Sequence, residues 1–302
     1  MPGASVYLDG TNIGTVSDLH GKFELNTNNS KGSSLIISYL GYAPVLIQPA
    51  EIKNRSKIYM QKGSYQLKEV LLEPDGWSRA EKLRIFKSEF LGKTPVTKHC
   101  KILNEKDIIL IYSKSNKTLV AYSENPILIT NKYLGYNIQY DMVDFEIEFT
   151  TDQKGLDHPR RLYIAGTSFF KNLNGTTKKR IVKRRKREYL GSLIHFMRSL
   201  ASKQLTENKF KIFYKGLNIS PYKYFNISQE SYQTKVEITT IPIFVLYNDS
   251  RRSSINFASD NYNSFYIFEN GNHSPPYRLF FEGDFAFKRI SNDLPLNYFP
   301  EN

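Results

Sequence analysis

Between Pro2 and Tyr42 the chain reads PGASVYLDGTNIGTVSDLHGKFELN and, a little later, SSLIISYLGY. Apolar residues alternate at Ala4, Val6 and Leu8 and again at Phe23 and Leu25, and the runs are separated by Asp9-Gly10, Asp18 and Gly21. Successive side chains of a strand point to opposite faces, so short period-two runs between Gly/Asp turns read as half-buried antiparallel strands. The pattern predicts a small antiparallel β-sandwich with strands near 4–8, 13–17, 22–26, 34–39, 43–48, 56–61 and 67–72. Glu73-Pro74-Asp75-Gly76 follows the apolar run Val70-Leu71-Leu72 and closes a first domain at 1–73.

Downstream, Ser78 followed three residues later by Glu81 has the capping-box spacing, and Leu83, Phe86, Phe90 and Leu91 recur at helical spacing up to Gly92. A helix near 78–91 follows. Strands are then expected at 108–112, 119–122 and 127–130 and along 133–149. In the last, Ile138, Tyr140 and Met142 alternate, as do Phe145, Ile147 and Phe149, with a one-residue slip at Val143-Asp144 that predicts a β-bulge. Leu190, Leu193, Ile194, Met197, Leu200 and Ala201 form one stripe, which predicts a long helix near 177–204. Strands near 210–214, 234–239, 242–247, 264–269 and 277–288 complete a β-rich α+β domain over 77–302 with about two helices. The terminal Leu294-Pro295-Leu296-Asn297-Tyr298-Phe299-Pro300 has too many prolines for regular structure.

The fold class is therefore mainly β. A chain of 302 residues with 40% hydrophobic content buries a sizeable core, and 21 Tyr, 20 Phe and scattered β-branched residues agree with strands. Cys100 is the sole cysteine, which excludes an intrachain disulfide and a cysteine metal cluster. No apolar run approaches the roughly 20 residues of a membrane helix.

The opening string resembles the carboxypeptidase-like regulatory domain of Bacteroidetes envelope proteins, a transthyretin-like sandwich that commonly precedes TonB-dependent receptors. The strings WSRAEKLRIFKSEFLGKT, NKYLGYNIQYDMVDFEI, REYLGSLIHFMRSL and LPLNYFP look like those downstream of this module in uncharacterised Bacteroidetes proteins. The resemblance implies an envelope setting, in the periplasm or at the outer membrane, and assigns no chemistry. In the family, Pro-Gly-Ala normally follows a first strand; here it follows Met1 directly. Two readings are open, a leaderless protein or a start placed late with a signal peptide and first strand upstream; the second is the expectation, because a sandwich lacking a strand exposes an unpaired edge.

Catalytic signatures are missing. None of His20, His99, His158, His195 and His273 stands in a zinc-peptidase spacing, and no G-x-S-x-G elbow or phosphate loop occurs. Cys100 beside His99 is adjacency in sequence only. No catalytic residue, cofactor or metal ligand is assigned.

The sharpest anomaly is Lys178-Lys179-Arg180-Ile181-Val182-Lys183-Arg184-Arg185-Lys186-Arg187. From Lys154 to Lys215 there are 17 Lys/Arg against three acids, a surplus of 14, so the rest of the chain sums to −1 of the +13 total. The run reads either as the solvated start of the long helix or as a surface for an acidic glycan, lipopolysaccharide or an acidic partner; nucleic acid lacks the module that specific recognition needs. Lys183, Arg184, Arg185 and Arg187 are the candidate partner contacts, together with Trp77, the only tryptophan, expected to seal the domain junction or stack on a sugar. Two functions stay open: a non-enzymatic binding or interaction protein of the bacterial cell envelope, docking on an envelope protein or glycan, and a hydrolase whose site is built in the second domain from residues distant in sequence.

Overall fold

The computed structural model describes residues 1–27, 32–39, 41–54, 57–63, 76–173 and 178–301. At its N-terminus, β1 (Ser5–Leu8), β2 (Gly14–Val16), β3 (Leu35–Ser38) and β4 (Val45–Ile47) form an antiparallel sheet of order β2-β1-β3-β4. The strand expected near 22–26 does not form. The Asp18 carboxylate accepts the backbone N–H groups of His20 and Lys22, and such local bonds compete with ladder pairing. The described part of 56–61 is irregular too. Leu25, Ile58 and Met60 nevertheless cover the core of Ala4, Val6, Leu8, Leu35, Ile37 and Ile47 with their side chains. The run near 67–72 and the boundary at Glu73-Pro74-Asp75 lie outside the described residues. Tyr7 and Ile36 are buried on the opposite face. Both faces of this sheet are therefore covered, and a strand covered on both faces reads as a continuous apolar run.

Next comes α1 (Arg79–Leu91), begun by the capping box: the Ser78 hydroxyl accepts from the Glu81 N–H, and the Glu81 carboxylate accepts from the Ser78 N–H. It packs Phe86 and Phe90 onto a sheet of β5 (Cys100–Ile102), β6 (Ile108–Ser113), β7 (Thr118–Ser123), β8 (Ile127–Asn131), β9 (Tyr136–Thr151) and β10 (Asp157–Asn172). One edge of β9 pairs with β8 and β7, and the other carries β10 along its length. The predicted bulge is present: Ala165 pairs with Asp144 but Gly166 pairs with Met142, which leaves Val143 unpaired and exposed. β10 itself has no counterpart among the expected strands, because its polar edge hides the alternation of Leu162 and Ile164.

The helix expected over 177–204 is two helices, α2 (Lys179–Tyr189) and α3 (Leu193–Ala201). Gly191 breaks it at φ +73°, a left-handed conformation that glycine adopts without strain. Ser192 then caps α3 by accepting the His195 N–H. The break lets α2 pack on the six-stranded sheet and α3 on the next one.

The remainder forms β11 (Phe210–Tyr214), β12 (Leu217–Ile219), β13 (Phe225–Glu230), β14 (Gln233–Ile238), β15 (Ile243–Tyr247), β16 (Arg251–Phe257), β17 (Ser264–Phe268), β18 (His273–Ser274), β19 (Leu279–Gly283) and the single turn α4 (Asp284–Phe287). Two antiparallel sheets result, β12-β11-β15-β16-β19 and β13-β14-β17-β18, sharing a core with Phe196, Met197 and Leu200 of α3. The span 77–302 thus contains two hydrophobic cores, with Leu190 packed against both. The final segment is irregular, as its prolines require, and runs back to the N-terminal module.

Candidate functional site: a basic helix face and a docked module

α2 sorts the basic run into two populations. Arg185 is buried: its Nε donates to the Leu134 carbonyl, its Nη2 donates to the Gly135 carbonyl and Asn172 Oδ1, and its guanidinium lies 3.7 Å from the Tyr136 ring centroid. Burial holds it below the ordinary arginine range. The expected role of Arg185 as a partner contact is overturned, since all this bonding faces inward to satisfy the loop between β8 and β9. Arg184 lies over the Tyr133 ring at 4.4 Å and donates to the Tyr133 carbonyl. Lys183 and Arg187 are exposed, as are Lys178, Lys179 and Arg180, and Lys132 and Lys171 stand exposed beside the loop and strand that α2 covers.

Arg180, Lys183, Arg184 and Arg187 recur at the spacing of one helix face. The only acid in α2, Glu188, is buried, accepts from Asn292 Nδ2 and lies 3.6 Å from Arg187 Nε. Among the described residues, no ion pair reaches Lys178, Lys179, Arg180, Lys183, Lys132 or Lys171. Lys178 at the start of α2 offers no side-chain cap, and the positive end of the helix dipole adds to the field there. The threonines expected as caps, Thr176 and Thr177, lie outside the described residues.

Trp77 is stacked on Tyr112 at 4.0 Å and 6° and meets Phe149 edge-on at 5.3 Å. It packs on the core of the six-stranded sheet through β6 and β9. Burial pushes the Cys100 thiol up to about 12, which removes it as a nucleophile near neutral pH. His195 is buried among Tyr189, Phe210 and Tyr247, and its Nδ1 accepts the Gly191 N–H, so it locks the helix break. Among the described residues, no group of three His, Cys, Asp or Glu is placed to hold a metal ion.

A second cluster, unmarked in the sequence, joins the N-terminal module to the rest. The Asp9-Gly10 turn is its hub: Asp9 Oδ1 accepts the Ser168 N–H, the Gly10 N–H donates to the Ser168 carbonyl, and the Gly10 carbonyl accepts the Leu296 N–H. Thr11 forms a parallel bridge with Phe169, and Asn12 pairs with Asn297. The Tyr7 hydroxyl donates to Asp141 Oδ2 at 2.5 Å while its ring packs on Phe169. Burial raises Asp9 to about 6 and also lifts Asp141, in spite of the bonds from Tyr7 and Gln139. Arg198 holds the tail from the other side, donating to the carbonyls of Asn270, Leu296 and Tyr298. The sequence carried a signal only for the turn itself.

A sheet of this order, closed by side chains from irregular segments and built around Pro2-Gly3-Ala4 and the Asp9-Gly10 hairpin, is the part of the chain that comparison identifies. Residues 1–72 match the CarboxypepD_reg-like domain. The CarboxypepD_reg-like domain is a non-catalytic β-sandwich module. Comparison with curated proteins and with solved structures finds no match. No helix of the described residues is long and apolar enough to cross a membrane.

Proposed function

We propose that this is a non-enzymatic interaction protein of the bacterial cell envelope, at the periplasm or outer membrane, held on a phosphate-bearing glycolipid or acidic glycan surface by the exposed face of α2. The observation that carries the reading is the set of cations at Lys178, Lys179, Arg180, Lys183 and Arg187, exposed together with no acidic partner among the described residues except Glu188 beside Arg187. Solvated cations that serve only solubility are usually interspersed with acids. Here they are concentrated in one segment of a chain that is otherwise near neutral. The non-catalytic N-terminal module agrees with a role in docking, and the resemblance to the N-terminus of TonB-dependent receptors and to Bacteroidetes proteins suggests the compartment.

The test is co-sedimentation with vesicles of phosphatidylglycerol and phosphatidylethanolamine, and with lipopolysaccharide, against neutral phosphatidylcholine vesicles. Each basic residue near an anionic surface contributes about 1 kcal/mol, so Lys179→Gln, Arg180→Gln and Lys183→Gln together weaken binding by roughly 100-fold at low salt. Binding also falls as added salt shortens the Debye length. Equal binding to neutral vesicles, or indifference to the triple change, refutes the reading.

A further inference from the structure

The loop between β8 and β9 holds one aromatic ring firmly against α2. Asn131 is fully buried; its Oδ1 accepts the N–H groups of Tyr133 and Leu134, and its Nδ2 donates to the Ser291 carbonyl. His99 stacks on the Tyr133 ring, 5.5 Å between centroids at 24°, and its carbonyl accepts the Lys132 N–H. From the helix side, Arg185 bonds the Leu134 and Gly135 carbonyls. Tyr133 is therefore a fixed platform.

Two guanidinium groups rest on it. Arg184 Cζ lies 4.4 Å and Arg187 Cζ 5.5 Å from the Tyr133 centroid, and Arg184 Nη1 also donates to the Tyr133 carbonyl. Residues three apart on a helix share a face, so both side chains reach the ring from the α2 side. Stacking fixes the plane of a guanidinium while its N–H groups stay at the edges, and it removes rotamer freedom before a ligand arrives. Glu188 lies 3.6 Å from Arg187 Nε and so engages the Nε side of that group, which turns the Nη edge to the ligand. Arg184 is half-buried, Arg187 keeps 63% of its side chain exposed, and Lys132 stands exposed one residue before the ring.

Such a pair discriminates among anions. A carboxylate has two oxygens in one plane, which a single fork satisfies. A phosphodiester has two terminal oxygens and one charge, whereas a phosphomonoester has three terminal oxygens in a tetrahedral array and a charge of about −1.5 to −2 at neutral pH. Two forks on one ring with an ammonium beside them supply donors in more than one plane and enough charge for the monoester. We propose that Arg184 and Arg187, with Lys132, form a subsite for a phosphomonoester headgroup on the lipid surface that α2 meets. This deepens the reading of α2 as a phosphate-binding face and rests on it.

The test is co-sedimentation of the full chain with phosphatidylcholine vesicles carrying phosphatidic acid, a monoester, against vesicles carrying phosphatidylglycerol, a diester, at matched zeta potential. The parent is expected to bind phosphatidic acid about tenfold more tightly. Arg184→Lys combined with Arg187→Lys keeps both charges and loses both forks, so binding to phosphatidylglycerol stays within about twofold and the preference disappears. If thermal melting shows that the double variant is unstable, Arg187→Lys alone, at an exposed side chain, is expected to cut the preference to about threefold. Equal binding of the parent to the two vesicles, or a preference that survives in the variants, overturns the subsite and leaves the surface reading standing. Failure to bind either vesicle removes both. Soluble glucose 1-phosphate binding as tightly as the vesicles would assign the site to a free phosphate ester and overturn the lipid headgroup.

Discussion

Arg185 and Lys183 lie two positions apart on α2 and have opposite fates. The guanidinium of Arg185 satisfies two backbone carbonyls and one side-chain oxygen inside the fold, whereas the Lys183 ammonium stands in solvent. Removing a buried donor strands its acceptors, each at about 1–3 kcal/mol, while an exposed substitution stays within about 0.5 kcal/mol. Arg185→Ala is therefore expected to cost about 2–4 kcal/mol in urea unfolding and Lys183→Ala almost nothing. Equal, small effects would mean that the loop between β8 and β9 is satisfied without Arg185. In sequence the two residues belong to one undivided basic run. Their difference arises because the loop from Asn131 to Gly135 lies against one side of α2 and not the other.

At the scale of elements, the helix break at Gly191 is the most informative departure from periodicity. The apolar stripe from Leu190 to Ala201 has helical spacing and passes across the break, since both sides must bury apolar residues. An isolated glycine inside a helical pattern is tolerated often enough that it does not declare a break. A Cβ at position 191 would lie 2.4 Å from Tyr247 Cδ1, with the backbone at φ +73°. Gly191→Ala is thus expected to destabilise the protein by about 1–3 kcal/mol in thermal or urea unfolding. In a continuous helix the same change would stabilise by up to about 1 kcal/mol, so the sign of the effect separates the two arrangements. The bulge at Val143 was legible for the opposite reason: a slip in period two must appear in the sequence wherever both flanking runs face a core.

For the whole molecule, buried titratable groups at the joints set the pH response. Burial raises Asp9 and Asp293 to about 6 from an ordinary 3.8, and burial lowers His195 and His273 to about 4 from 6.5. For the aspartates the folded state holds its protons more tightly than the unfolded chain. Their contribution therefore grows as pH falls from about 6 toward 4. For the histidines the unfolded chain holds the proton more tightly, so their contribution is complete above about 6.5 and is lost as pH falls toward 4. The two sets oppose each other across one window, which flattens the stability profile there. Among the described residues no hydrogen bond or ion pair reaches the Asp293 carboxylate. Asp293→Asn is accordingly expected to be more stable than the parent above pH ~6, by about 1–2 kcal/mol, with the advantage gone near pH ~4. Denaturant titrations of both proteins across that range measure it, and a difference that does not change with pH would remove Asp293 from the account.

Local pattern in the chain was sufficient for the strands whose two neighbours in sequence bracket them with turns: β1 to β4, β6 to β8, and the capped helix α1. In the N-terminal module it was sufficient for the Asp9-Gly10 turn and the four strands of the sheet but not for the segment near 22–26, where the Asp18 carboxylate binds the His20 and Lys22 N–H groups in place of a strand. Contacts between distant segments are of another kind. That Tyr7 meets Asp141, that Gly10 receives both Ser168 and Leu296, and that Arg198 gathers the tail depend on which surfaces come together after the elements exist. The division of the basic run into a structural arginine and an exposed face follows from the same packing. Periodicity records which side of an element avoids water, and only assembly determines what covers that side.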